Sequence, residues 1–92
     1  MYANFLLGHL VVTEAAAARL GRTPLDLIAR HAVNDHGLLN RDERAANMKS
    51  MRTMGRIMSR YLIDPLDPAA GYVIVETSAQ WDETTTRLEN ET

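Results

Sequence analysis

Gly71–Thr77 reads GYVIVET, the one unbroken β-branched and aromatic run in the chain. Tyr72, Val73, Ile74 and Val75 have side chains that suit a pleated surface. In a strand, Tyr72, Ile74 and Glu76 share one face while Val73, Val75 and Thr77 share the other. Both faces are apolar at the middle, which predicts a strand with neighbours on both sides and a buried Ile74. Gly71 marks its start, and Pro65, Pro68 and Gly71 mark the loop before it. A second run, Arg56–Ile63, lies upstream of that loop, and a third, Thr84–Leu88, lies downstream. Three runs with short connections read as an antiparallel meander.

The upstream run has two readings. Met48, Met51, Met54, Met58, Tyr61 and Leu62 extend one helical stripe as far as the Asp64-Pro65 break. Alternatively a helix stops at Gly55, and a strand begins at Arg56 with Ile57, Ser59, Tyr61 and Ile63 facing one way. Periodicity does not decide between them. The need of GYVIVET for a partner favours the strand.

Further towards the N-terminus, Leu6–Val12 (LLGHLVV) reads as a first strand. Thr13 offers a cap for a helix over Glu14–Leu20, and Gly21 closes it. Thr23-Pro24-Leu25-Asp26 reads as a second helix start: threonine caps, proline takes the first turn and aspartate reaches back. Leu25, Ile28, Ala29, Ala32 and Val33 follow as its expected core face, and Asn34–Gly37 ends it. Asn40 and Glu43 form a capping pair for a third helix, with Ala45, Met48 and Met51 as its apolar stripe. Residues 89–92 are expected to fray. The whole is expected to be one α+β domain over residues 1–92: an N-terminal strand, two or three helices, then a C-terminal antiparallel β-meander with the helices packed on one face.

Composition narrows the function. The chain has 92 residues and no cysteine, which excludes disulfides, thiolate metal sites and cysteine nucleophiles. The net charge of −2 argues against gross attraction to nucleic acid or an anionic membrane. No basic residue precedes the apolar start, and no apolar run reaches the ~20 residues of a membrane span. The expected location is cytoplasmic, with no membrane contact.

His31, Asp35 and His36 form the best cluster for chemistry, because His31 and Asp35 stand one helical turn apart. One helix end cannot close a metal site, so no metal and no cofactor are expected. The ordinary reading is a helix-terminal histidine bonded to Asp35 or to a last-turn carbonyl. No serine sits in a nucleophile elbow, and the glycines are too scattered to cradle phosphate. The expectation is therefore a protein that is not an enzyme, with a small hydrolase around His31 as a remote alternative.

Charge distribution says more than charge total. Arg41, Arg44, Lys49, Arg52, Arg56 and Arg60 meet only Asp42 and Glu43, so residues 41–60 carry a net +4. From Glu76 onward, five carboxylates face Arg87 alone, a net −4. A basic stripe meets phosphate or an acidic protein; its ordinary role is to solvate a helix. Trp81, in the polar connection SAQWDE, is a candidate anchor for a partner, or else a ring folded over the sheet edge. The six basic residues and Trp81 are the expected partner-binding residues. Met48 and Met51 are expected in the core, with Met54 and Met58 open to either role.

Several short motifs together resemble a set of short bacterial proteins carried on plasmids and other mobile elements. They are GHLVVT (Gly8–Thr13), ARH (Ala29–His31), Asp35 with Gly37, DERAAN (Asp42–Asn47), Gly55-Arg56 with Ser59 and Tyr61, IVET (Ile74–Thr77) and TTRL (Thr85–Leu88). The resemblance spans residues 8–88. This chain departs from it at His36, where the family pattern has tryptophan, at Leu38, where it has an acid, and in the longer hairpin Leu62–Gly71. The resemblance implies a strand, helices and a β-meander, and implies no reaction. Its genomic company makes an inhibitor of a host defence system, of anti-CRISPR or anti-restriction type, the expected function, acting by protein–protein contact. A nucleic-acid-binding regulator using residues 41–60 is the alternative, with only weak binding expected. The reading also admits a homo-oligomer.

Overall fold

The computed structural model describes residues 4–91. The chain is an α+β domain with β1 (His9–Val12), α1 (Glu14–Leu20), α2 (Leu25–Ala32), α3 (Arg41–Thr53), β2 (Ile57–Leu62), β3 (Tyr72–Thr77) and β4 (Glu83–Leu88). Residues 56–63 take the strand reading: β2 pairs antiparallel with β3, Ser59 against Val75, and β3 pairs antiparallel with β4, Val75 against Thr86. The meander is therefore present over β2–β4. The sheet does not end there. Its order is β1-β4-β3-β2, and β1 lies parallel to β4, so the sheet is mixed.

Strand alternation divides the sheet into two faces. Ile57, Ser59, Tyr61, Val73, Val75, Thr77, Thr84 and Thr86 are buried on the face that α1 and α2 cover. Leu27 and Ile28 of α2 join Tyr61, Val73 and Val75 in the core, with Leu7, Leu20 and Ile63 packed against it. The other face carries Arg60, Ile74 and Arg87 in one cross-strand row. Ile74 is 2% exposed, as expected, although among the described residues the main helix contacts to β3 and β4 come from α2 and α1 on the opposite face. Its cross-strand neighbours on that face are Arg60 and Arg87.

Local details correct the sequence reading in four places. The first strand starts at His9 rather than Leu6, and Leu6 is exposed. Thr23 does not cap α2; the cap position falls on Pro24, and Asp26 pairs with Arg22 instead of reaching back. The buried face of α2 is Pro24, Leu27, Ile28, His31 and Ala32, while Leu25 and Val33 are exposed. On α3, Ala45 and Met48 are exposed, and the inward side consists of Glu43, Asn47, Ser50 and Met51. Of the tail, Glu89 donates its N–H to Tyr72, and Glu91 accepts from Thr13 and from the Leu88 N–H; Thr92 lies outside the described residues.

α3 runs beside the outer edge of β2 and helps to close it. Asn47 bonds both outward backbone groups of Met58. The segment after α2 then takes over: His36 C=O accepts from Arg60 N–H at 3.0 Å, and Leu38 N–H donates to Arg60 C=O at 2.7 Å. Gly37 makes this possible with φ of 70°, where a Cβ would strike the Arg60 carbonyl and the Tyr61 ring.

Candidate functional site

α3 presents the candidate surface. Asn40 Oδ1 accepts from Glu43 N–H at 2.8 Å while Glu43 Oε1 accepts from Asn40 N–H at 2.9 Å, the reciprocal pair that starts the helix. Met54, in the left-handed region with φ of 54°, ends it. Two ties fix its rotation: the Asn47 amide on Met58, and Glu43 paired with Arg60 at 2.8 Å. At 100° per residue, Arg41, Arg44, Met48 and Arg52 form one row, with Arg44 nearest the inward side and Ala45 and Lys49 flanking the row outward. All six are exposed. Met48 is 66% exposed at the centre. Arg44 Nη1 donates to the Leu39 carbonyl at 2.6 Å. Arg41, Lys49 and Arg52 have no ion-pair partner among the described residues.

The structure divides the other expected residues from this row. Arg56 pairs with Glu76, and Arg60 bridges Glu43 and Glu89, both on the open sheet face. Hydrogen bonding to Arg60 pulls the Glu43 carboxyl down to about 2, and the Glu43 carboxylate in turn raises the Arg60 guanidinium above its ordinary value. Both cations are thus neutralised in place. Trp81 is half-buried at φ of 57°, its ring 5.6 Å from Phe5 and its Nε1–H donating to the Gly55 carbonyl at 2.9 Å. It is folded against Phe5 and the turn after α3, at the strand ends between β3 and β4, not displayed as a free anchor. Met51 and Met58 are partly buried, and Met54 is exposed.

His31 is fully buried, and it bonds neither Asp35 nor a last-turn carbonyl. Its Nδ1 lies 2.6 Å from Ser59 Oγ and its Nε2 lies 2.9 Å from Thr77 Oγ1. Asp35 instead holds Arg30. The chain continues at both ends. His36 Nδ1 lies 2.7 Å from Ser59 Oγ, Thr77 Oγ1 lies 2.7 Å from Thr84 Oγ1, and Thr84 donates to the Leu7 carbonyl at 2.6 Å. That last carbonyl orders every hydrogen before it, because each hydroxyl has one proton. Thr84 spends its proton on Leu7, so Thr77 donates to Thr84. His31 Nε2–H then donates to Thr77, Ser59 donates to His31 Nδ1, and His36 Nδ1–H donates to Ser59. Both neutral tautomers follow. Burial, aided by the neighbouring His36, pushes the His31 imidazole down to about 3, and burial lowers His36 as well against the opposing pull of Asp35. With both nitrogens of His31 engaged and the ring shielded, this cluster braces α2 against the sheet and presents no base to a substrate.

The sequence places Ser59, Thr77 and Thr84 on strands but does not join them to His31. Their signal is position: hydroxyls at inward places of strands require a polar partner, and His31 stands at the inward place of α2. A groove of about 500 Å³ lies between α2 and the end of β2, lined by Arg22, Leu27, Arg30, Tyr61, Leu62 and Ile63 among others. Its cations are occupied: Arg22 pairs with Asp26, and Arg30 pairs with Asp35 while lying 4.6 Å over the Tyr61 ring. Burial pushes the Tyr61 phenol up to about 12. Among the described residues, no three histidine, aspartate or glutamate side chains converge to hold a metal ion. No helix among them is long and apolar enough to cross a membrane. No family model matches the chain, and neither the curated proteins nor the solved structures compared with it give a match.

Proposed function

We propose that the chain is a small binding protein that engages an acidic protein surface through the outer side of α3. The resemblance to proteins of plasmids and other mobile elements supports the further reading that its partner belongs to a host defence system, of CRISPR or restriction type, which it inhibits by occupying a surface. The observation that carries the binding role is Met48, two-thirds exposed in the middle of a row of cations. A phosphate backbone rewards the cations alone. An acidic protein surface with an apolar hollow rewards both, methionine as the adaptable anchor and the cations as rim and steering charge.

Expression in a bacterium with an active CRISPR or restriction system tests the reading directly. The wild-type chain is expected to raise the plating of a targeted phage, and the Met48→Glu/Arg52→Glu double variant is expected to lose that protection while keeping the same circular dichroism. In parallel, titration with DNA and RNA is expected to show only salt-sensitive contact of about 10⁻⁴–10⁻⁶ M. Tight, sequence-selective binding to either nucleic acid in the absence of other protein would replace this reading with that of a regulator.

A further inference from the structure

The two edges of the sheet are treated differently. At β2, the outward backbone groups of Met58 and Arg60 are all taken, by Asn47 and by residues 36–38. At β1, the parallel ladder to β4 uses the N–H groups of His9 and Thr13, which donate to Asp82 and Thr86. Alternation then turns the N–H and C=O of Leu10 and Val12 outward. They have no backbone partner among the described residues. Among the described residues nothing blunts this edge: HLVV contains no Lys, Arg, Asp, Glu or proline, and its register with β4 is unbroken. Leu6 at 68% exposed and Leu10 at 48% lie on or beside it. A free, uncharged, apolar edge is a template for another strand.

We propose that β1 pairs antiparallel with β1 of a second copy of the chain, with Val11 on the two-fold axis. In that register Leu10 and Val12 of one copy exchange N–H···O=C bonds with Val12 and Leu10 of the other. Four bonds satisfy every outward group on both strands. Residues opposed in an antiparallel pair share a face, so Leu10 meets Val12 beneath the helices and Val11 meets Val11 on the open side. No charge opposes a like charge. α1 packs over β4 rather than over the free edge, and its exposed residues are Glu14, Ala15, Ala17, Ala18 and Arg19. The same strand satisfies itself without opposing like charges, which is what an isologous interface requires.

The resulting sheet has eight strands, with β2 and α3 at each end. The two β2 strands stand seven spacings apart, roughly 34 Å. Both α3 surfaces stay free, so the dimer stands or falls independently of what α3 binds.

Sedimentation equilibrium of the full chain is expected to show a mass that rises with concentration from 10.3 kDa towards twice that value. Leu10→Lys, which places a cation of each copy at the junction, is expected to return it to monomer with unchanged circular dichroism. A cysteine variant reads the register. The chain has no cysteine of its own, and residues in a non-hydrogen-bonded pair hold their Cβ atoms ~4.5–5.5 Å apart. Val11→Cys is therefore expected to form a disulfide-linked dimer on mild oxidation, and Val33→Cys, exposed on the segment after α2, is expected to stay monomeric. A monomer at all concentrations overturns the proposal. So does a dimer that Leu10→Lys leaves intact, or one in which Val11→Cys links no faster than Val33→Cys.

Discussion

Asn47 and Met58 meet as if they were two strands: Asn47 Oδ1 accepts from Met58 N–H at 3.0 Å, and Asn47 Nδ2 donates to Met58 C=O at 2.7 Å. One side-chain amide thus completes the backbone pairing of β2 at a place where no fifth strand is needed. Asn47→Ala removes both partners and leaves two backbone groups at a closed edge. The expected loss is about 2–3 kcal/mol by urea denaturation, with the dependence on denaturant unchanged. A loss under ~0.5 kcal/mol would mean that water replaces the amide without penalty.

Acid should weaken the fold through His31. Folded His31 stays neutral down to about 3, against an ordinary value of 6.5. Between those values the unfolded chain binds a proton that the folded chain refuses, so the stability present above pH 6.5 is lost as pH falls towards 3. At ~1.4 kcal/mol per pH unit, roughly 3 kcal/mol is gone by pH 4. Unfolding in denaturant at pH 7 and pH 4 measures it. His31→Gln, less stable at pH 7, is expected to lose most of the pH dependence. Equal stability of the wild type at the two pH values contradicts the polarised chain, because a protonated His31 would turn a second N–H against the Ser59 hydroxyl.

Thr86 is fully buried, and its hydroxyl has no partner among the described residues. Thr86→Val keeps the shape and removes the stranded oxygen. It is expected to raise stability by about 1 kcal/mol, seen as a higher denaturant midpoint. A clear loss on this substitution would reveal a hydrogen bond to an enclosed water.

Ile74 and Val75 are adjacent, equally shielded and unequal in what surrounds them. Arg60 and Arg87 flank Ile74 in the sheet, whereas Val75 lies in the apolar core under α2. Ile74→Asp sets a carboxylate between two guanidinium stems and is expected to cost about 2–4 kcal/mol, mainly lost apolar burial. Val75→Asp buries a charge without a cation and is expected to abolish the cooperative melt. Thermal melts of the two variants that coincide would show that the arginines do not reach the new carboxylate.

Where pattern and packing agree, the chain could be read from its letters. GYVIVET, the helix over Glu14–Leu20 and the Asn40–Glu43 pair each carry local signals that the structure bears out. The face of α2 was misread because Leu25 and Val33 count as core residues and His31 does not, although the buried face runs Pro24, Leu27, Ile28, His31. A histidine is cheap to bury only when hydroxyls on distant strands await it, and no local window contains them. α3 misled in the same way: Asn47 is inside for its amide, and Met48 is outside. The basic run was legible as charge, but it crosses from helix to strand near Gly55, so the fold splits it into a free row and a neutralised pair. The place of β1 beside β4 leaves no local mark at all.

That parallel pairing joins the first described strand to the last one described. Translation releases β1 early, yet the hydroxyl that takes hold of the Leu7 carbonyl belongs to Thr84, 77 residues on. At ~5–20 residues per second, it follows roughly 4–15 s later. Throughout that interval an apolar strand travels with neither edge paired, while α1 and α2 can already gather. The meander can close without β1, and β1 cannot find its place without the final strand. The sheet therefore closes around β1 only once β4 has been made. A ribosome that stalls before Glu83 leaves behind a chain whose beginning has nowhere to go.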